Sequence, residues 1–256
     1  MASVIPPDST AYFIHVMKTG GTSFVQHARV NVPDHQRLPI DDPGASEGSG
    51  RYGKAGWLLK LTDDDRAKVR FASGHWPYVV RECLGADLTL TVLRHPVERT
   101  VSFLRHARKH HPEFRGKPLR AIYEDWHQYG FFIYDYQVRQ FAKRLDDNLN
   151  HIAVIYIDPV RMALAKENLA RVDVLGLHDR YDEWEKAAHD VLGWPREERP
   201  RLQVSDHSED IDDGLRAKIE TDNATDIAFY EYAVELYEQR GGPLAPHLGA
   251  AADPTS

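Results

Sequence analysis

Residues 11–30 have the sequence AYFIHVMKTGGTSFVQHARV. The first seven residues, Ala11 to Met17, are apolar, aromatic or β-branched apart from one histidine, which predicts a buried strand. Two adjacent glycines follow within the polar segment 18–23, and they allow the backbone to turn tightly. The residues from Thr22 to Val30 then predict a helix. This part of the chain therefore predicts a strand–loop–helix unit.

The rest of the chain continues this alternation of strands and helices. Further strands are predicted at Val69–Ser73, Leu88–Leu93, Ile152–Ile157 and Val172–Leu177. Helices are predicted from Pro96 to about His110, over most of 119–145, and at Pro159–Arg171, Tyr181–Leu192 and Gly214–Arg240. Continuous apolar strands that alternate with helices predict an α/β fold with a mostly parallel sheet covered on both faces.

The same pattern predicts one domain over residues 11–240. We expect an N-terminal extension over residues 1–10 and a flexible C-terminal tail over residues 241–256. The segment 39–56, which is rich in glycine and proline, is interpreted as a mobile loop.

Composition bounds the class of protein. The 256 residues are 42% hydrophobic and 28% charged, which excludes a disordered, collagen-like or disulfide-rich chain. Cys83 is the single cysteine, so no disulfide can form within the chain. No run of residues has the ~18 apolar positions of a membrane helix, and the first residues do not resemble a signal peptide. We therefore expect a cytoplasmic protein with no membrane partner.

Charge is distributed unevenly along the chain. The net charge of -7 does not favour a nucleic-acid partner. Residues 94–120 nevertheless hold eight Arg or Lys against two acids, whereas residues 206–238 hold eleven acids against two bases. A basic segment in an acidic protein indicates a local anion site, although solvated helix faces would give the same pattern.

The segment from Lys18 to Ser23 has the chemistry of an anion-binding loop. It joins a strand to a helix N-terminus, whose amides favour an anion, and Lys18 adds a positive charge. Thr19, Thr22 and Ser23 add hydroxyl groups. The lysine precedes the glycines, so the segment is not a Walker A loop. The alternative is an ordinary strand-to-helix turn with hydroxyl caps.

A second polar segment follows the predicted strand at Leu88–Leu93. Arg94 stands at the end of that strand, and Pro96 suits the first turn of the next helix. Arg99 and Ser102 share one helix face, and arginine and serine can together bind a phosphate. For Arg99, pairing with a nearby carboxylate is the interpretation we prefer.

The two segments together resemble sulfotransferases that use 3′-phosphoadenosine 5′-phosphosulfate (PAPS). The likeness is to the carbohydrate group that includes heparan sulfate 2-O- and 6-O-sulfotransferases and their bacterial relatives, and it extends over about residues 11–240. It implies a P-loop-like sulfotransferase fold. It also implies that the 5′-phosphosulfate is bound by Lys18, Thr19, Gly20, Gly21, Thr22 and Ser23, and the 3′-phosphate by Arg94 and Ser102.

Other segments carry the same resemblance. His75, in the sequence Ser73-Gly74-His75-Trp76, falls where the family places a catalytic histidine. Gln137-x-Arg139, the segments 174–177 and 179–182, and the helix over 223–237 are also similar to family elements. Met17 and His95 depart from the usual residues. The family's secretory members carry a membrane anchor that this sequence does not show, which argues against a polymeric extracellular glycan as acceptor.

The resemblance implies in-line sulfuryl transfer from PAPS to a hydroxyl of a sugar or another small molecule, with PAP as product and no metal. Lys18 would stabilise the leaving group, and His75 would act as general base. The alternatives are an ATP-dependent small-molecule kinase and a catalytically silent nucleotide-binding scaffold. His106 and His110 have the spacing of a helical metal pair but lack a zinc motif. Trp76 and Tyr78 are interpreted either as acceptor-pocket or as core residues.

Overall fold

The computed structural model describes residues 6, 8–38, 53–195 and 211–249, and within these ranges a central parallel sheet organises the chain. Its strands are β1 (Ala11–Ile14), β2 (Arg37–Leu38), β3 (Phe71–Gly74), β4 (Leu88–Leu93) and β5 (Val174–Leu177). Their order is β2-β3-β1-β4-β5, and every pair is parallel. The predicted α/β fold with a mostly parallel sheet is confirmed.

The helices lie largely where the sequence pattern predicts them. Within the described ranges they are α1 (Gly21–Asn31), α2 (Asp63–Lys68), α3 (Val80–Leu84), α4 (Pro96–His110), α5 (Leu119–Glu124), α6 (Trp126–Ile133), α7 (Tyr136–Ala142), α8 (Pro159–Ala170), α9 (Tyr181–Leu192), α10 (Asp213–Asp222), α11 (Ala224–Gln239) and α12 (Pro246–Gly249). Pro96 occupies the first turn of α4, where its missing N–H leaves no hydrogen bond unmade.

The side chains of β1 point in turn to the two faces of the sheet, which explains why its apolar run is continuous. Tyr12 and Ile14 point into a core that α3, α7, α8 and α11 cover. Ala11 and Phe13 point into a second core on the other face, under α1 and α9. Because both faces are buried, every position of the strand is apolar.

The predicted strand at Ile152–Ile157 is wrong. The segment has no strand pairing, and Val154 and Tyr156 are 70% and 86% exposed. Ile155 and Ile157 pack against the core, so the segment keeps a one-sided apolar pattern without a neighbouring strand. The free side of β4 is taken by β5 instead.

The chain termini and one long loop fall partly outside the described residues. Residues 39–52 of the predicted mobile loop, residues 1–5 and 7, and residues 250–256 lie outside them. Before that last segment, Leu244 forms a bridge with Val174 and Leu248 is buried. Residues 244–248 of the predicted tail are therefore packed against the sheet. None of the helices in the described ranges is long and apolar enough to span a bilayer.

Candidate functional site

The sheet brings the predicted site residues to one edge. β1 lies between β3 and β4, and all three strands run in the same direction. The loop 15–20 follows β1, His75 follows β3, and Arg94 follows β4. Carboxyl ends of parallel strands meet at one edge of a sheet, so Lys18, His75 and Arg94 lie at a common site.

The loop between β1 and α1 has an unusual backbone. Lys18 has φ 66° and Gly20 has φ 92°, both in the left-handed region. For the lysine this conformation costs about 1 kcal/mol, whereas glycine adopts it without penalty. Gly20 is also the N-cap of α1 and has no side chain with which to cap it. The first amides of α1 therefore begin directly beside the loop.

The Thr19 hydroxyl forms a hydrogen bond within the loop. Its side chain is fully buried, and Oγ1 donates to the carbonyl of Val16 at 2.9 Å. A threonine hydroxyl has one hydrogen, so that hydrogen holds the loop together. Thr22 and Ser23 are half-buried on the first turn of α1 and carry the other predicted hydroxyls.

Close packing leaves little room for a side chain at either Gly20 or Gly21. A Cβ atom at Gly21 would lie 2.5 Å from Cδ2 of His15, well inside contact distance. A Cβ at Gly20 would lie 3.3 Å from the ring of Tyr181, at the start of α9. The glycines thus allow α1 to begin close to both β1 and α9.

Arg94 is buried next to the loop. Its Nη1 donates to the carbonyl of Lys18 at 3.4 Å, while its Nε has no hydrogen-bond partner among the described residues. Burial lowers the pKa of Arg94, the charge of Glu98 opposes that shift, and the charge of Arg105 adds to it. A buried guanidinium with an unbonded N–H would gain from an anionic ligand.

On the helix that follows Arg94, Arg105 is a further cation whose charge acts on Arg94. Ser102 is half-buried on α4, and Arg105 follows it three residues later on the same helix face. The sequence signal available for Arg105 was its position in the basic segment 94–120. Arg99 has a structural role, because it is buried and donates to the carbonyls of Phe132 and Ile133 at 3.0 and 2.8 Å.

His75 is held in one orientation. Its Nδ1 lies 2.7 Å from the carbonyl oxygen of His15, which can only accept a hydrogen bond. Nδ1 therefore carries the hydrogen, and Nε2 is the basic nitrogen of the neutral ring. Burial lowers the pKa of His75 to about 4, and the charge of Lys18 acts in the same direction.

Histidines surround this residue. The His15 and His151 rings lie 4.8 and 5.4 Å from that of His75, centroid to centroid. Burial lowers the pKa of His15, with contributions from His75 and Lys18. Burial also lowers the pKa of His106 to about 4, and Lys18 contributes again. Four histidines thus lie close to one another or to Lys18, and the sequence spacing gave no signal for His151.

Gln137 fixes the main chain at Arg94. Its side-chain Oε1 accepts from the Arg94 amide at 3.0 Å, and its Nε2 donates to the Arg94 carbonyl at 2.7 Å. Asp226 of α11 in turn accepts the amides of Gln137 and Val138 at the start of α7. Burial is the main cause that raises the pKa of Asp226. Arg139 is buried and donates to four backbone carbonyls, those of Phe131, Tyr134, Asp135 and Ala153.

The two aromatic residues after His75 belong to the core. Trp76 is fully buried, and its carbonyl accepts the Tyr12 hydroxyl at 2.7 Å. Tyr78 is buried against Phe141. Of the two interpretations of these residues, core packing describes their places in this structure.

Comparison with solved structures finds a likeness to a sulfotransferase. A crystal structure of a sulfotransferase from Alicyclobacillus acidocaldarius aligns with a TM-score of 0.45 and 16% sequence identity, covering 90% of this chain and 96% of that one. A likeness at this level assigns neither a family nor an activity. No protein-family model and no curated protein matches the sequence.

Proposed function

We propose that the chain transfers a sulfuryl group from PAPS to an acceptor hydroxyl. The observation that carries the proposal is the meeting of Lys18, Arg94 and His75 at one sheet edge, where Arg94 donates to the carbonyl of Lys18. Two cations, a helix N-terminus and a histidine with one fixed tautomer are the groups that such a transfer needs.

The residues present fit a donor that carries two anionic groups. The loop, with its left-handed backbone at Lys18 and Gly20, leads into the amides of α1 and suits the 5′-phosphosulfate. Arg94 has a buried N–H that no described residue accepts and suits the 3′-phosphate, with Ser102 on the adjacent helix. When bound, PAPS supplies the sulfuryl group, and its departure as PAP places negative charge on the bridging oxygen.

The side chains divide the chemical work. The Lys18 ammonium and the first amides of α1 stabilise the charge that develops on the leaving group. The Nε2 of His75 accepts the proton of the acceptor hydroxyl, and the bond from Nδ1 to the His15 carbonyl holds the ring in place. Because burial keeps the pKa of His75 low, the ring is neutral at physiological pH and is in the protonation state of a base.

Calorimetric titration tests the donor assignment. We expect PAP to bind the folded chain with clear preference over 5′-AMP and ATP, because only PAP has a 3′-phosphate. Arg94→Ala should weaken PAP binding much more than 5′-AMP binding.

Three outcomes would contradict the proposal. Failure of PAP to bind would remove the sulfotransferase assignment. Preference for ATP would favour the kinase, and PAP binding without turnover of any acceptor would favour the silent scaffold. Equal losses for PAP and 5′-AMP in Arg94→Ala would exclude the 3′-phosphate role of that residue.

A further inference from the structure

Two neighbouring helices bring three potential metal ligands together away from the sheet edge. His27 lies on α1, and Glu185 and His189 lie one turn apart on α9. One ligand atom from each of the three residues lies within 4.8 Å of the other two. Among the described residues this is the one group of three or more such side chains close enough to share an ion.

The distances suit a shared ion. His27 Nδ1 lies 2.9 Å from His189 Nε2 and 3.8 Å from Glu185 Oε1. The longer distance exceeds that of a hydrogen bond. Zinc bonds of about 2.0–2.1 Å in tetrahedral arrangement separate two ligand atoms by roughly 3.3 Å, which lies between the two observed values.

The surroundings of His189 fix the nitrogen that faces the other ligands. Its Nδ1 lies 3.3 Å from the carbonyl oxygen of Pro195 and therefore donates to it, so Nε2 is the unprotonated nitrogen. Histidine ligands of metals commonly donate their second N–H to a carbonyl in this way. Phe24 and Trp194 pack around the ring of His189, which is buried, while Glu185 stays half-buried.

We propose that His27, Glu185 and His189 form a zinc site with solvent as the fourth ligand. Two imidazole nitrogens and one carboxylate oxygen are ligands that Zn²⁺ accepts readily. The ion would join α1 to α9. α1 begins in the Lys18–Ser23 loop, and α9 begins at Tyr181, whose ring lies beside Gly20, so the ion would hold together the two helices that flank this loop. The proposal is independent of the sulfuryl-transfer chemistry.

Zinc titration of the tag-free, chelator-stripped full chain tests this site. We expect one Zn²⁺ per chain by calorimetry and a Tm that rises with Zn²⁺ concentration. Glu185→Gln and His27→Gln should each weaken Zn²⁺ binding by at least about tenfold. Both positions are partly exposed, so these variants should fold, and circular dichroism checks that they do.

The His106–His110 pair supplies a matched control. Their rings lie 4.3 Å apart on α4, and the cluster of three described above does not include them. His110→Gln should leave Zn²⁺ binding unchanged. Absence of Zn²⁺ binding by the unaltered chain would overturn the proposal, since His27 and His189 would then only be hydrogen-bonded to each other. Loss of binding in His110→Gln, or weakening in only one of the two cluster variants, would overturn it too.

Discussion

At Lys18, the energetic cost of the left-handed backbone can be separated by experiment from the contribution of the side-chain charge. A left-handed lysine is unfavourable, and the loop keeps it beside Arg94. Lys18 belongs to the proposed donor-binding loop, and strain of this kind is typical of residues whose side chain must be held in one direction.

The prediction from this observation concerns Lys18→Gly. Because glycine accepts the positive φ, the variant should be as stable as the natural chain or more stable by about 1 kcal/mol. Sulfuryl transfer should nevertheless be nearly abolished, because the leaving group loses its cation. Urea unfolding and turnover measure the two effects. Lys18→Ala is the control, since it removes the charge and keeps the strain. Near-normal turnover by either variant would reject the role of Lys18.

A second prediction concerns the base. His75→Asn retains a donor that can reach the His15 carbonyl but removes the basic nitrogen. PAP affinity should stay within about twofold, while turnover should fall by about 10²–10⁴-fold, the usual contribution of a general base. Titration with PAP and steady-state kinetics measure the two quantities. Full turnover by this variant would exclude His75 as the base.

For single residues, the sequence motifs predicted which side chains stand at strand ends better than they predicted what those side chains contact. The motifs placed Lys18, His75 and Arg94 at strand ends, and a parallel sheet has to bring such ends together. The roles of Thr19 and Gln137 could not be predicted. Thr19 bonds within its own loop, and Gln137 reaches Arg94 across 43 residues of chain.

Among the elements, α7 holds the main chain at the end of β4. Its Gln137 side chain pairs with both main-chain groups of Arg94, as a neighbouring strand would. The start of α7 is fixed by Asp226, so α11 supports α7 and α7 supports the end of β4.

Gln137→Leu tests this support. It leaves a buried amide and a buried carbonyl without partners, so unfolding free energy should fall by about 2–4 kcal/mol. PAP affinity should fall as well, because the main chain that carries Arg94 loosens. Gln239→Leu is the control, since Gln239 is exposed near the end of α11 and should change neither quantity. Unchanged stability and PAP affinity in Gln137→Leu would show that the pairing has no positioning role.

Strand prediction succeeded where the strand lies inside the sheet. β1, β3, β4 and β5 overlap their predicted ranges, and all four are buried on both faces. The segment 152–157 has the same residue types, yet it lies where no neighbouring strand pairs with it. β2 has two residues, which is too short for a periodic pattern to indicate.

For the whole molecule, the uneven charge has a structural explanation in addition to the proposed anion site. The basic and acidic segments meet where α10 packs beside α4 and α5. Arg216 pairs with Glu98 at 3.3 Å, and Arg120 pairs with Asp212 at 2.6 Å. The four side chains are 41–62% exposed, so each pair contributes little to stability.

Three histidines with lowered pKa values, two of them buried and one half-buried, make the stability of the molecule depend on pH. The folded-state pKa values of His15, His75 and His106 are lowered, so the unfolded chain binds protons first as pH falls. Their contribution is fully present above about pH 6.5, the ordinary histidine pKa. It is lost as pH falls, for His75 and His106 down to their folded-state pKa of about 4. Asp135 acts in the opposite direction, because burial and the nearby Asp226 raise its pKa to about 6.

Comparison of variants isolates the histidine effect from that of the carboxyl groups. Between pH 7.5 and pH 5, the natural chain should lose about 2 kcal/mol more unfolding free energy than His75→Asn, which has no imidazole to protonate at that position. Urea unfolding at the two pH values measures the difference. His35→Asn, at an exposed position, is the control and should follow the natural chain. If the free energy of unfolding depends on pH in the same way in the natural chain and in His75→Asn, burial does not keep the His75 ring neutral. The argument for its protonation state as a base would then fail too.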